Sequence, residues 1–128
     1  MSEKPVKCSI KLSNRCPDHV FILLADSEYV RVAVDDITHL QAERDNCSIY
    51  IRNSERMMVT VPMKHVLKVL PQTKFIRVHR SHALNISYIV KIIGNRIELQ
   101  DGTEIVIGKT YRDKVLSSFI FIGSRERK

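Results

Sequence analysis

Between Ile89 and Ile107 apolar and polar residues alternate in three short runs, broken at Gly94-Asn95 and again at Asp101-Gly102. Both dipeptides are two-residue hairpin signals, because tight antiparallel turns need the positive φ that glycine reaches without strain. A meander of three antiparallel strands is therefore expected, and it commits this stretch to β structure. The period of two recurs upstream. His19–Ala25 is a β-branched and aromatic run, and Tyr29–Val34 alternates. Thr38–Glu43, Cys47–Arg52, Met57–Val61 and Phe75–Arg80 read as further strands. Helical spacing occurs twice. Met63, Val66, Leu67 and Leu70 form one stripe between Pro62 and Pro71, and Tyr111, Val115 and Phe119, with Leu116 beside them, mark a helix from about Thr110. Asp35 and Asp36 are expected to cap a single helical turn through Ile37, and Asn85–Tyr88 reads as a capped turn. The fold class is mainly β, with short helices packed against the sheets.

One domain is expected over residues 19–120, flanked by polar segments at 1–18 and 121–128. The longest uninterrupted apolar run, Val20–Ala25, is far too short to cross a bilayer. The first residues carry charges and no apolar signal core, so a cytoplasmic location is expected. Cys8, Cys16 and Cys47 make an odd count without a C-x-x-C spacing, which points to reduced thiols. The five histidines show no H-x-x-x-H pair, and neither a metal site nor a cofactor is expected. Net charge is +7 and uneven: residues 1–73 hold 10 basic and 9 acidic groups, residues 74–128 hold 11 and 5. A field concentrated in one half favours a polyanionic partner.

Enzymatic chemistry finds no support. Ser81 stands near His79 and His82, but neighbours on one strand point to opposite faces. There is no G-x-S-x-G elbow, and four glycines do not make a phosphate loop. A helix-turn-helix reader needs longer adjacent helices than these. RNA-binding sheets display stacking aromatics, and the four Tyr and four Phe fall mostly at core positions. What remains is duplex DNA read from loops and strand ends, with Arg and Lys for phosphates and guanine edges and Asn or Ser for adenine edges. The cations that suit this stand in two groups: Arg77, His79 and Arg80 on one strand, and Lys109, Arg112 and Lys114 after the meander.

The segment F-I-R-V-H-R-S-H-A-L-N-I-S-Y-I, Phe75–Ile89, resembles the signature of the LytTR DNA-binding domain found in bacterial regulators of the LytR/AlgR type. The similarity continues through L-x-D-G-T-x-I at Leu99–Ile105 to the Tyr111 helix, and upstream through D-D-I-T-H-L-Q-A at Asp35–Ala42, covering roughly residues 20–119. The resemblance implies an elongated fold of stacked small β-sheets. It also implies a sequence-specific transcriptional regulator whose loops, rather than a recognition helix, enter successive major grooves. Carried onto this chain, the first loop supplies Arg44, Asn46, Cys47 and Ser48, the second His79 and Arg80, and the third Lys109 and Thr110, with Arg112 following. Arg80 is the residue expected to reach a base edge or phosphate. Where the family usually shows Ser-Arg, this chain has Gly108-Lys109. Lysine lacks the planar fork of arginine, so Lys109 suits phosphate better than guanine.

Plainer roles stand beside these. Asn85 and Ser81 suit their own turn, His65 and His82 read as solvated, His79 as a structural histidine, Cys47 as a small strand residue, and Arg112 with Lys114 as a solvated helix face. Family members commonly carry an N-terminal receiver domain, whereas about eighteen residues precede the first strand here. Either a stand-alone regulator or the effector half of a longer protein is thus expected; in the first case the signal arrives through a partner such as an inhibitory membrane protein. The resemblance further implies direct-repeat sites occupied cooperatively, with a homodimer forming on DNA. The alternative is a protein-interaction module of the same fold that sequesters another regulator without binding DNA.

Overall fold

Among the described residues ten short strands arise from the alternating segments, and ladder pairing sorts them into three antiparallel sheets. The computed structural model describes residues 18–25, 27–53 and 55–123; the expectations for residues 1–17 and 124–128, Cys8 and Cys16 among them, lie outside the described residues. β1 (His19–Ala25) and β2 (Glu28–Ala33) form a hairpin. β3 (Ile37–Glu43), β4 (Asn46–Ile51), β5 (Met57–Val59), β6 (Phe75–His79) and β7 (His82–Asn85) form a five-stranded sheet in the order β5-β4-β3-β7-β6. β8 (Ile89–Ile93), β9 (Arg96–Leu99) and β10 (Glu104–Val106) are the expected meander. The helices are α1 (Met63–Val69) and α2 (Arg112–Ser117). Neither is long and apolar enough to cross a membrane.

The five-stranded sheet lies between two apolar cores, because alternate residues of a strand face opposite ways. Phe75 and Ala83 join Leu40, Cys47 and Ile49 under α1 and the β1–β2 hairpin. Their neighbours Ile76 and Leu84 join Val78, Ile97, Leu99, Ile105 and Val115 under the meander and α2. On α1, Met63, Val66 and Leu70 are buried as the stripe requires, with Leu67 partly so. Pro71 follows directly.

Three features differ from expectation. β7 was hidden in the sequence, since its turn from β6 contains no glycine, proline or asparagine. Asp35 and Asp36 lie inside a 3-10 turn (Val34–Asp36) that has no side-chain cap; they pair instead with Lys74 at 2.9 Å and Arg52 at 3.0 Å. The Gly94-Asn95 turn does join paired Ile93 and Arg96, with φ of +60° at Gly94. The Asp101-Gly102 turn is one residue longer than a two-residue hairpin. Leu99 N–H donates to Thr103 O and Gly102 N–H to Leu99 O, with Gly102 at φ +92°. This is the three-residue loop whose last position requires glycine.

Polar groups tie the sheet inside. Asn85 is fully buried at the end of β7; its Nδ2 donates to Ile37 O at 2.9 Å and its Oδ1 accepts from Ser87 N at 3.0 Å, capping the 3-10 turn Ile86–Tyr88. The buried His39 ring stacks on Tyr50 with centroids 4.2 Å apart. Thr38 Oγ1 donates to Tyr50 O at 3.2 Å, which leaves it to accept from His39 Nδ1 at 3.1 Å. Burial holds His39 down to about 4, although Asp101 pulls the other way.

Two stability measurements follow. Asn85→Ala strips two buried partners at once and is expected to lower the urea midpoint by an amount worth roughly 2–4 kcal/mol, at an unchanged slope. His39 is neutral in the fold, whereas the unfolded chain takes up its proton near pH 6.5. Its contribution is complete above pH 6.5 and is lost as pH falls toward about 4. His39→Phe, which keeps the stack, should show a shallower stability loss across that window by roughly 2–3 kcal/mol.

Candidate nucleic-acid interface

β3 pairs with β7, setting Gln41 opposite His82, and Ala42 N donates to Ser81 O at 2.9 Å. The turn from β3 to β4 (Arg44-Asp45) and the turn from β6 to β7 (Arg80-Ser81) therefore project from the same end of the sheet. The third loop docks beside them. Gly108 N donates to Val78 O at 2.7 Å, and a Cβ built on Gly108 would stand 3.4 Å from His79 Cα and 3.2 Å from the Tyr111 ring. The third loop thus lies in van der Waals contact with the second. From there a 3-10 turn (Lys109–Tyr111) leads into α2.

Each expected contact residue can now be placed. Arg44, Arg80, Lys109, Thr110 and Arg112 are exposed at this end. Asn46 is half-buried, its amide 3.9 Å from Met58 Sδ, a weak partner. Cys47 and Ser48 require correction. They belong to β4, not to the loop, and each is 0% exposed. The turn closes at the paired residues Glu43 and Asn46, so alternation sends Cys47 into the core, where burial raises its thiol to about 11. Ser48 Oγ donates to Glu43 Oε2 at 2.8 Å and accepts from Arg56 Nη1 at 2.7 Å, bracing the base of the first loop.

The histidines are structural in part. His79 Nδ1 accepts from Ser81 N at 3.0 Å, so the neutral ring carries its proton on Nε2. His82 is half-buried rather than solvated, because it packs edge-on to His79 with centroids 5.5 Å apart; among the described residues its Nδ1 has no hydrogen-bond partner. Burial, and secondarily His79, lower its pKa. Exposed His65 stays on the surface of α1.

Arg77 was named among the cations but not among the contact residues. Its Nη2 donates to Arg80 O at 2.5 Å, its Nε lies 3.4 Å from His79 O, and its guanidinium sits 5.9 Å from the Tyr111 ring centroid. The available signal was its position two residues before His79.

Charge distinguishes this end from the flanks. Arg52, Arg56, Lys74, Lys91 and Arg96 each pair with a carboxylate. Among the described residues no carboxylate pairs with Arg44, Arg80, Lys109 or Arg112. Unpaired cations occur elsewhere, as at Arg31, Lys64 and Lys68, but only here do they occupy three adjoining loops. No group of three or more His, Cys, Asp or Glu among the described residues could hold a metal ion.

The family model of the LytTr DNA-binding domain matches residues 27–119. A solved structure described as the LytTr DNA-binding domain of a methyl-accepting/DNA response regulator from Bacillus cereus superposes with a TM-score of 0.69. It is 17% identical, over 79% of this chain and 95% of that one. No curated protein matches the chain in sequence.

Arg44 occupies the left-handed region at φ +64°, which costs a residue with a Cβ roughly 1 kcal/mol. Arg44→Gly is expected to raise folding stability by up to about 1 kcal/mol while weakening duplex binding. Denaturation and anisotropy on the same variant check the two halves; a variant that is stabilised and binds as wild type removes Arg44 from the interface.

Proposed function

The chain belongs to the LytTR DNA-binding domain family, and from the DNA-binding effector role this carries we propose that it reads duplex DNA sequence-specifically through the three adjoining loops. The observation that supports this reading is the convergence of unpaired, exposed Arg44, Arg80, Lys109 and Arg112 at one end of the five-stranded sheet. Lys109 and Arg112 neutralise phosphates, releasing counterions and supplying affinity without sequence preference. Arg80 and Arg44 carry forks that match O6 and N7 of guanine in the major groove, and Asn46 offers the amide that suits adenine. Thr110 adds a hydroxyl to the third loop. Cys47 and Ser48 take no part.

The reading separates from its rival, a protein-sequestering module of the same fold, by salt. Anisotropy with random duplex DNA should show affinity falling steeply between about 50 and 200 mM salt. With a duplex selected from a random library, Arg80→Ala is expected to cost roughly 1–3 kcal/mol and relax discrimination at one base position. Lys109→Ala should weaken all sequences alike and reduce the salt slope by about one. No binding at either salt concentration would favour the rival.

A further inference from the structure

We propose that Arg77 is a positioning residue that locks the second and third loops into one unit and so sets base discrimination without itself contacting DNA. The inference rests on the DNA-reading role proposed above. It starts from an irregularity in β6. Arg77 pairs with Ala83 and His79 with His82, so Val78 is an extra residue, a bulge of the kind that re-aims neighbouring side chains. The bulge does two things. Val78 keeps its side chain fully buried while its carbonyl accepts from Gly108 N, which ties the third loop to the strand. It also brings Arg77 round to the carbonyls of the turn that follows.

That turn needs holding. Two-residue hairpins favour positive φ at the first central residue, and neither Arg80 nor Ser81 has it. Without intrinsic turn preference, the backbone geometry that aims Arg80 depends on side chains. Ser81 N donates to the His79 ring from one side, and Arg77 donates from the other to the carbonyl of Arg80, with that of His79 in reach. A guanidinium suits this because its donors are fixed in a plane and can serve adjacent acceptors together. One of its faces remains free, and it lies over Tyr111, the residue closing the turn that carries Lys109 and Thr110. A single cation thus touches the backbone of one reading loop and the anchor of the next. Arg77 is half-buried and, among the described residues, pairs with no carboxylate.

The test is Arg77→Lys, which keeps the charge and loses the fork, alongside Arg77→Met and Tyr111→Leu, which leaves Arg77 and removes the ring. Each is compared with wild type for the selected duplex, a random duplex and the salt slope. Amide exchange at Ser81 and Tyr111 is followed in the free protein, with denaturation midpoints to register global stability. Arg77→Lys is expected to weaken the selected duplex roughly tenfold, leave the random duplex and slope unchanged, and speed exchange at both amides beyond any global change. Tyr111→Leu should do the same to a smaller degree. In an Arg80→Ala background, Arg77→Lys should cost no more than about twofold, because it acts through Arg80. A slope reduced by about one in Arg77→Met would show direct phosphate contact and overturn the proposal. Equal losses in both backgrounds, or unchanged exchange with normal discrimination, would also overturn it. Failure of the wild type to bind duplex overturns the DNA reading and the role in discrimination together, while exchange still reports whether the clamp exists.

Discussion

The pairing of β3 with β7 is the constraint on which the interface depends. The two strands are separated by β4, β5, α1 and β6 in the chain, and each belongs to a hairpin of its own. Isolated hairpins are marginal in water, and nothing within either one specifies where the other should lie. Their register is set by the cores. Slipping β7 by one residue would send Leu84 toward α1 and Ala83 toward the meander, exchanging a large residue for a small one on both faces. The hydrogen bond from Ala42 to Ser81 is therefore a consequence of core packing. Loop residues are free to vary in chemistry because apolar residues hold the loops in place.

Charge placement follows a similar division. Exposed ion pairs on the flanks contribute little stability, about 0–1 kcal/mol each. Pairing has a different effect: it offsets the charge of five flanking cations, whereas those on the three adjoining loops have no carboxylate partner among the described residues. Asp35 and Asp36 show this well. As caps they would have served one local turn; in the structure they neutralise Lys74 and Arg52, which lie far along the chain. At the opposite end of β3, Arg44 keeps a conformation that glycine would hold at less cost, and its side chain remains exposed. Strain of this kind persists where the surrounding structure over-determines it, and such positions cluster at functional sites.

Much of the fold was legible because its punctuation is strong. Gly94-Asn95, the stripe on α1 and the Asn85 cap each have a local cause, and each appears in the structure where the residues place it. One error has its origin in a turn without turn residues. Arg80-Ser81 carries no glycine or asparagine, so residues 81–84 were left without a strand and His82 was read as solvated. Alternation alone starts a strand at Cys47; only the first loop carried over from the family resemblance took in Cys47 and Ser48, whereas Arg44-Asp45 reverses the chain in two residues with arginine at positive φ. Arg77 went unassigned because its partners are backbone carbonyls three residues on and a ring thirty-four residues away. Residue type alone shows a cation there, not what it holds.

The third loop shows how this chain departs from the usual pattern of its family. With serine and arginine at these positions, the loop would carry a fork for guanine and a Cβ beside His79. Here Gly108 N donates to Val78 O at 2.7 Å and the loop seats against the second one. Lys109 then offers a compact charge on a flexible stem, suited to phosphate. On the proposed reading the third loop serves as an electrostatic anchor, and discrimination rests on Arg44, Asn46 and Arg80. A domain so arranged needs its second loop held firmly, since fewer base contacts must carry the specificity. The guanidinium of Arg77, shared between the Arg80 carbonyl and the Tyr111 ring, is positioned to meet that need.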